Sequence, residues 1–207
     1  MPGSTLKLLY GKYYHIYNRG INSCNLFNEV ENYEYFMQLY DKHISEVAYT
    51  YAWVLMPNHF HFVVRIKDEA EILSSILDHK ISKQPHQYFS NLFNAYAKAF
   101  NERFKRHGSL YERPFKRKLV DNEQYLKQLV IYTHNNPVHH GFCSHPIEYP
   151  WSSYLTCTSD KPTKLQREKV IGWFQNVDDF INLHNQDQNT LMIDKWLDLN
   201  NAEITYG

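Results

Sequence analysis

Two β-rich runs separated by a short break constrain the fold of this chain most strongly. Residues 48–55 (AYTYAWVL) and His59–Ile66 (HFHFVVRI) are rich in aromatic and β-branched side chains, which favour strands. Pro57-Asn58 lies between them and supplies turn residues, so the two runs predict an antiparallel hairpin. A hairpin is marginally stable alone, and other elements must therefore cover it.

The flanking segments supply those elements. A strand is predicted over 12–18, with an extended edge segment over 110–120 because Pro114 is best tolerated at a sheet edge. The spacing of apolar residues predicts helices over 30–47, 69–82, 87–106, 122–136, 168–183 and 194–199, the fourth ended by Pro137. This order predicts an α+β, ferredoxin-like (RRM-like) antiparallel sheet with helices packed on one face. We expect a catalytic domain over 1–155 and a helical C-terminal extension with an acidic tail over 156–207.

Charge is distributed unevenly along the 207 residues, although 22 basic residues balance 22 acidic ones. Eight basic residues against two acidic ones fall within 98–118: Lys98, Arg103, Lys105, Arg106, Arg113, Lys116, Arg117 and Lys118. From Val177 onward, six acidic residues face one basic residue, which makes an acidic tail. Tyrosines beside a basic segment suit single-stranded nucleic acid, and a solvated helix face with core aromatics is the alternative.

Cysteine content and hydropathy limit the class of protein. The three cysteines show no CxxC or Cys/His spacing, so neither a disulfide framework nor a structural zinc site is expected. No segment approaches the roughly 18 apolar residues of a membrane span. We therefore expect a cytoplasmic protein with no membrane partner.

The pair His59 and His61 is the first candidate site. Side chains alternate along a strand, so both imidazoles point to one face, about 7 Å apart, and can reach one divalent cation. With 12 histidines in the chain, chance alone yields on the order of one such pair. A polar sheet face lined by histidines is therefore the alternative.

A second segment supplies complementary chemistry. Tyr132 and Asn136 lie at i and i+4, hence on one face of the predicted helix 122–136. A tyrosine near a cation can attack a phosphodiester, and an amide oxygen can complete a ligand set with two imidazoles. The alternative is that Tyr132 packs in the core, and spacing alone does not separate it from Tyr125.

Several motifs together resemble the REP-associated tyrosine transposases, which are single-tyrosine transposases of the HUH superfamily. The motifs occur in order: YHIYNRG from Tyr14, LMPNHFH from Leu55, FKR from Phe115, YTHNNPV from Tyr132 and YPWSSY from Tyr149. The resemblance implies that His59, His61 and Asn136 bind Mg²⁺ or Mn²⁺ and that Tyr132 is the nucleophile. It implies cleavage and rejoining of single-stranded or hairpin DNA, such as REP elements, through a 5′-phosphotyrosine intermediate in DNA transposition.

Further assignments concern DNA contacts, which the resemblance implies, and the other histidines, which sequence position indicates. The basic residues from Lys98 to Lys118 would contact the DNA backbone, and Asn18 and Arg19 would touch DNA from the first strand. His15 would do so too, or would pack on the sheet surface. His134 is a weak candidate for a general base, because it points off the face that carries Tyr132, and His139, His140 and His145 are expected in an exposed loop.

Three further points stay open at the level of sequence. The protein is expected to act as a monomer or a homodimer. A domesticated DNA-hairpin-binding protein with the same fold and no turnover is the alternative function. A metal-sensing or structural HxH protein would predict no salt-dependent DNA binding.

Overall fold

Four antiparallel strands form the centre of the protein, for which a computed structural model describes residues 7–75 and 83–186. The strands are β1 (Tyr13–Arg19), β2 (Ala48–Met56), β3 (His59–Ile66) and β4 (Lys116–Val120). The helices are α1 (Val30–Ile44), α2 (Glu69–Ser75), α3 (Pro85–Arg103), α4 (Glu123–His139), α5 (Tyr154–Thr158), α6 (Arg167–Trp173) and α7 (Val177–Asn185). Short 3-10 turns occupy Ile21–Ser23 and Pro146–Glu148.

The strand order is β2-β3-β1-β4, and all neighbouring strands are antiparallel. This order is that of a ferredoxin-like sheet, so the predicted fold class and the predicted hairpin are confirmed. In the central pair of strands, Tyr17 lies opposite His61 and Arg19 lies opposite His59. Residues directly opposite each other point to the same face, so the register determines which side chains meet.

One face of the sheet, which we term the core face, is covered by α1 and α3. Phe60 and Phe62 point to this side of β3 and are fully buried. The ring of Phe62 stacks on Tyr40 of α1 with 4.3 Å between centroids, and the ring of Phe60 stacks on Phe93 of α3 at 5.3 Å. Helix α1 forms because Phe36, Tyr40 and neighbouring apolar residues recur every three or four positions.

The opposite face, which we term the histidine face, carries His59 and His61 and is covered in part by α4. Asn122 caps this helix by accepting a hydrogen bond from the backbone N–H of Gln124 at 2.8 Å. Leu129 of α4 packs in one apolar cluster with Ala52 and Val63 of the sheet. The same cluster includes residues of the C-terminal helices: Cys157, Val170, Phe174 and Phe180. Residues on both sides of position 155 therefore share one core, and the expected domain division there stays a prediction.

The structure corrects two predicted helices. Pro137 does not end α4, which continues to His139. The proline removes only one N–H donor near the helix end, and the buried amides of Asn135 and Asn136 hold this turn through hydrogen bonds to other elements. The predicted helix over 168–183 is two helices, α6 and α7, with a break at Gln175, whose φ is +73°.

Other predictions concern the ends of elements or the undescribed residues. The extended segment over 110–120 contains a shorter strand, β4, preceded by an isolated bridge between Gly20 and Tyr111. The predicted helix over 194–199, the end of the helix over 69–82 and most of the acidic tail lie outside the described residues. Among the helices that the structure describes, none combines the length and apolar character needed to cross a bilayer.

Replacing Phe62 by alanine should lower the free energy of unfolding by about 3–5 kcal/mol, because a fully buried ring leaves a cavity between β3 and α1. Urea unfolding measures the change. Phe142→Ala is the matched control, since 54% of Phe142 is exposed, and it should cost less than about 1 kcal/mol. Equal losses in both variants would contradict this account of the core.

Candidate active site

The candidate site lies where α4 crosses the histidine face. Alternation along β3 directs His59 and His61 to this face, and their ring centroids are 5.3 Å apart with the planes nearly perpendicular. Helix α4 brings Tyr132 and Asn136 to the same place, as their i and i+4 spacing predicts. The structure therefore brings together the four residues in the proposed catalytic and metal-binding set.

Each histidine contacts one of the two helix residues. The Nε2 of His59 lies 2.9 Å from the Oδ1 of Asn136. The ring of His61 meets that of Tyr132 edge to face, with 5.7 Å between centroids. Tyr132 is buried, with 8% of its surface exposed, so most of its side chain is covered by protein.

Burial keeps both imidazoles neutral. The pKa of His59 is lowered to about 3, mainly by loss of solvent, with smaller contributions from the imidazole of His140 and the cation of Arg19, while the hydrogen bond to Asn136 acts in the opposite direction. Burial likewise lowers the pKa of His61 well below its usual value, reinforced by the imidazoles of His15 and His59. Neutral imidazole is the form that ligates metals, so at neutral pH both residues are in the ligand-competent state.

The hydrogen-bond pattern around His59 tests whether a cation fits. Its Nδ1 lies 2.7 Å from the Oδ1 of Asn58, and its Nε2 faces the Oδ1 of Asn136. A neutral imidazole donates only one hydrogen bond, so with both amides in these orientations one nitrogen lone pair faces an oxygen. Two neighbouring ligands of an octahedral Mg²⁺ at about 2.1 Å lie about 3 Å apart. The facing Nε2 and Oδ1 atoms therefore fit a shared cation, with Nδ1 donating to Asn58.

This donor set is small. Within residues 7–75 and 83–186, no group of three or more His, Cys, Asp and Glu side chains is placed to hold a metal ion. The set at the candidate site consists instead of two imidazoles and one amide oxygen. Such neutral ligands leave positions open for water or for phosphate oxygens, as a catalytic site requires.

The basic residues predicted to bind DNA divide between the two sides of the sheet. On the histidine face, Lys116 lies opposite Tyr17, and Lys118 lies opposite His15. The Nζ of Lys116 is 6.0 Å from the ring centroid of Tyr17. Arg19 lies on the same face, opposite His59. These three cations therefore border the candidate site.

The remaining predicted contacts lie elsewhere. Lys98 and Arg103 are on α3, the helix that covers the core face, and Lys105 and Arg106 follow its end. Arg103 forms an ion pair with Glu29. Arg113 is exposed ahead of β4, and Arg117 points to the core face, where its guanidinium lies 3.9 Å from the ring centroid of Phe115. The amide of Asn18 is engaged with backbone groups of Arg19 and Glu112. None of these residues is brought to the histidine pair.

His134 belongs to a separate buried network behind the site. Its Nε2 accepts a hydrogen bond from the hydroxyl of Ser153 at 2.7 Å, and its Nδ1 lies 3.0 Å from the Nε2 of His184 in α7. The Nδ1 of His184 in turn donates to the backbone oxygen of Phe180 at 2.7 Å. Both nitrogens of His134 are therefore engaged with partners other than Tyr132, which argues against a role as its general base.

Three site neighbours were missed or misplaced at the level of sequence. His15 lies behind His61, with its Nε2 2.8 Å from the Nδ1 of His61. His140, expected in an exposed loop, caps α4 and places its ring 5.0 Å from that of His59. Asn58, assigned only to a turn, orients His59. The alternation along β1 gave a signal for His15, whereas the position of His140 depends on continuation of α4 through Pro137.

Comparisons with known proteins show the fold. No protein-family model matches the chain, and no curated protein matches it in sequence. Five solved chains match its structure. One is a REP-associated tyrosine transposase, whose structure was solved with a bound REP hairpin. Its sequence is 16% identical to that of this chain. The match covers 78% of this chain and 89% of that one, with a TM-score of 0.60.

The free energy of unfolding should fall as the pH drops below about 6.5, the ordinary histidine value. Burial lowers the pKa of His15 to about 3 and of His184 to about 4, and holds those of His61 and His134 well below the usual value. The unfolded chain then takes up protons that the folded chain excludes, so stability is full above about 6.5 and is lost below it.

Below about pH 6.5, each such histidine lowers the free energy of unfolding by on the order of 1 kcal/mol per pH unit. Urea unfolding at pH 7, 6 and 5 measures the combined loss from these histidines, in a pH range where most carboxylates are still ionised. The variant His107→Gln removes an exposed histidine and should give a parallel curve. A free energy of unfolding that stays constant from pH 7 to 5 would contradict the neutral state of the buried imidazoles.

Proposed function

We propose that this protein is a single-strand DNA endonuclease and strand transferase of the tyrosine-transposase type, acting on hairpin DNA. The observation that carries the proposal is the placement of Tyr132 and Asn136 of α4 against the neutral imidazoles of His59 and His61. A nucleophile, two nitrogen ligands and an amide oxygen are the groups that metal-assisted attack by tyrosine requires. The fold shared with a REP-associated tyrosine transposase supports the same assignment.

The reaction is an exchange of one phosphodiester for another. The hydroxyl oxygen of Tyr132 attacks the phosphorus and loses its proton to solvent, while the bond to the 3′ oxygen breaks and that oxygen gains a proton. The products are a 5′-phosphotyrosine and a free 3′-hydroxyl, and because bonds of the same type form and break, a 3′-hydroxyl can reverse the step. A divalent cation bound by His59, His61 and Asn136 would supply Lewis-acid polarisation of a non-bridging phosphate oxygen.

The protein's own residues hold these groups in place. Asn58 fixes the ring of His59 through Nδ1, and the edge-to-face contact with His61 limits rotation of the Tyr132 ring. Arg19, Lys116 and Lys118 border the site on the histidine face and would bind phosphates on either side of the scissile bond. Such contacts position a strand without reading its sequence.

A DNA-hairpin-binding protein without turnover is the second candidate function. The 8% exposure of Tyr132 favours it, because most of the tyrosine is covered by protein whereas a nucleophile must meet a phosphate. The two functions share the fold and the basic border and differ only in whether a covalent adduct forms.

Tyr132→Phe should abolish the covalent adduct and lower the single-turnover cleavage rate by at least about 10³-fold, because the attacking oxygen is removed. The protein is incubated with Mn²⁺ and single-stranded hairpin DNA labelled at either end, then denatured and resolved on a gel. The 3′-labelled strand should appear in the adduct, and the 5′-labelled strand as a free fragment.

Tyr125→Phe is the matched control, because Tyr125 lies on the same helix but outside the set at the histidine face, and it should retain the adduct. DNA binding by wild type without any adduct would reject the endonuclease in favour of the binding protein. Absence of binding to hairpin DNA would reject both.

Lysines on the two sides of the sheet should affect DNA affinity differently. Replacing Lys116 and Lys118 together by alanine should weaken binding and reduce the slope of log affinity against log salt by about two, since each phosphate contact contributes about one. Replacing Lys98 and Lys105, which are exposed at α3, should leave the slope unchanged. Fluorescence anisotropy at several salt concentrations measures both, and the reverse pattern would place the DNA on the α3 side.

A further inference from the structure

His15 is a fully buried histidine behind the candidate site. It lies on β1 with no exposed surface, and its ring stacks on Tyr17 at 4.5 Å between centroids. Its Nε2 lies 2.8 Å from the Nδ1 of His61, and the two rings are nearly parallel. Its other nitrogen, Nδ1, is buried without a hydrogen-bond partner among the described residues. This is an unusual environment, because buried polar atoms are nearly always paired.

The shared hydrogen bond has two possible directions. The two nitrogens lie 2.8 Å apart, so one imidazole donates and the other accepts. In the neutral form, which is the form that ligates metals, each imidazole carries one N–H. If His15 donates through Nε2, then the proton of His61 lies on Nε2, and His61 has no lone pair for a cation. If His61 donates through Nδ1, its Nε2 lone pair is available, and the proton of His15 lies on the unpartnered Nδ1.

We propose that His15 is a positioning residue that accepts the Nδ1–H of His61 and thereby holds His61 in the tautomer whose Nε2 can bind a divalent cation. The inference rests on the proposed function. Histidines that bind metals usually donate their second N–H to a carboxylate, a carbonyl or a water. Here a second imidazole takes that place, and its unpartnered Nδ1–H is the consequence.

Packing alone does not explain His15. The residue lies opposite Val63 on β3, in a position that an apolar side chain would fill without burying an unpaired nitrogen. The His15 ring stacks on Tyr17 with an angle of 16° between the ring planes, and it lies nearly parallel to the ring of His61, with an angle of 6°. A fixed ring with a single partnered nitrogen matches the needs of a hydrogen-bond acceptor for His61.

Long-range ¹H–¹⁵N NMR of the histidine side chains in the wild-type protein with Mg²⁺ tests the direction of the hydrogen bond. We expect the Nδ1–H form for both His61 and His15. A spectrum in which His61 carries its proton on Nε2 while Mg²⁺ is bound would overturn the inference.

Variants of His15 provide a second test through Mn²⁺ affinity, measured by electron paramagnetic resonance without DNA. His15→Leu removes the acceptor and should weaken Mn²⁺ binding by about 10–100-fold. His15→Gln places an amide oxygen near the position of Nε2 and should restore most of the affinity. Thermal unfolding shows whether each variant is folded, and if His15→Leu is not, His15→Gln and the wild-type spectrum decide.

The outcomes separate this inference from the proposed function. Mn²⁺ binding that is equal in wild type and in folded His15→Leu would overturn only the role of His15. Failure of wild type to bind Mn²⁺ at all would overturn both the metal site and the positioning role.

Discussion

The geometry of the site depends on how α4 is held between the sheet and the C-terminal helices. A series of hydrogen bonds connects these elements. The backbone N–H of Trp53 in β2 donates to the hydroxyl of Ser153, which donates to His134 of α4. His134 donates to His184 of α7, and His184 donates to the backbone carbonyl of Phe180. Both ring nitrogens of His134 and of His184 have a hydrogen-bond partner, so neither imidazole can rotate without losing a hydrogen bond. His134 lies between Tyr132 and Asn136 in sequence, and the network that fixes it therefore also fixes the helix turn that carries them.

The two faces of the sheet differ in composition. The core face is filled by aromatic rings from β3, α1 and α3, which stabilise the fold through apolar burial. The histidine face carries neutral polar groups in contact with one helix and cations at its border. A basic stretch that is continuous in sequence is thus divided in space, because α3 covers the core face whereas Lys116 and Lys118 of the edge strand β4 point to the histidine face. A local count of charges does not show this division.

Sequence patterns predicted the parts of the fold that depend on local periodicity. The strand His59–Ile66, the hairpin and the amphipathic helix α1 follow from alternation and from three- and four-residue spacing. The break between α6 and α7 and the continuation of α4 through Pro137 depend on long-range contacts, so the sequence did not predict them. The same limit applies to the site: the pair on β3 and the pair on α4 were predicted, whereas His15 and His140 join it only through tertiary packing.

The short connection between β4 and α4 has a mechanical consequence. The strand ends at Val120 and the helix begins at Glu123, and Val120 packs in the same apolar cluster as Leu126 and Tyr132. With only two residues between them, the edge strand and the helix cannot shift independently. A displacement of the edge strand would therefore move the start of α4 with it, so the position of the Tyr132 ring depends on the outer edge of the sheet as well as on its centre.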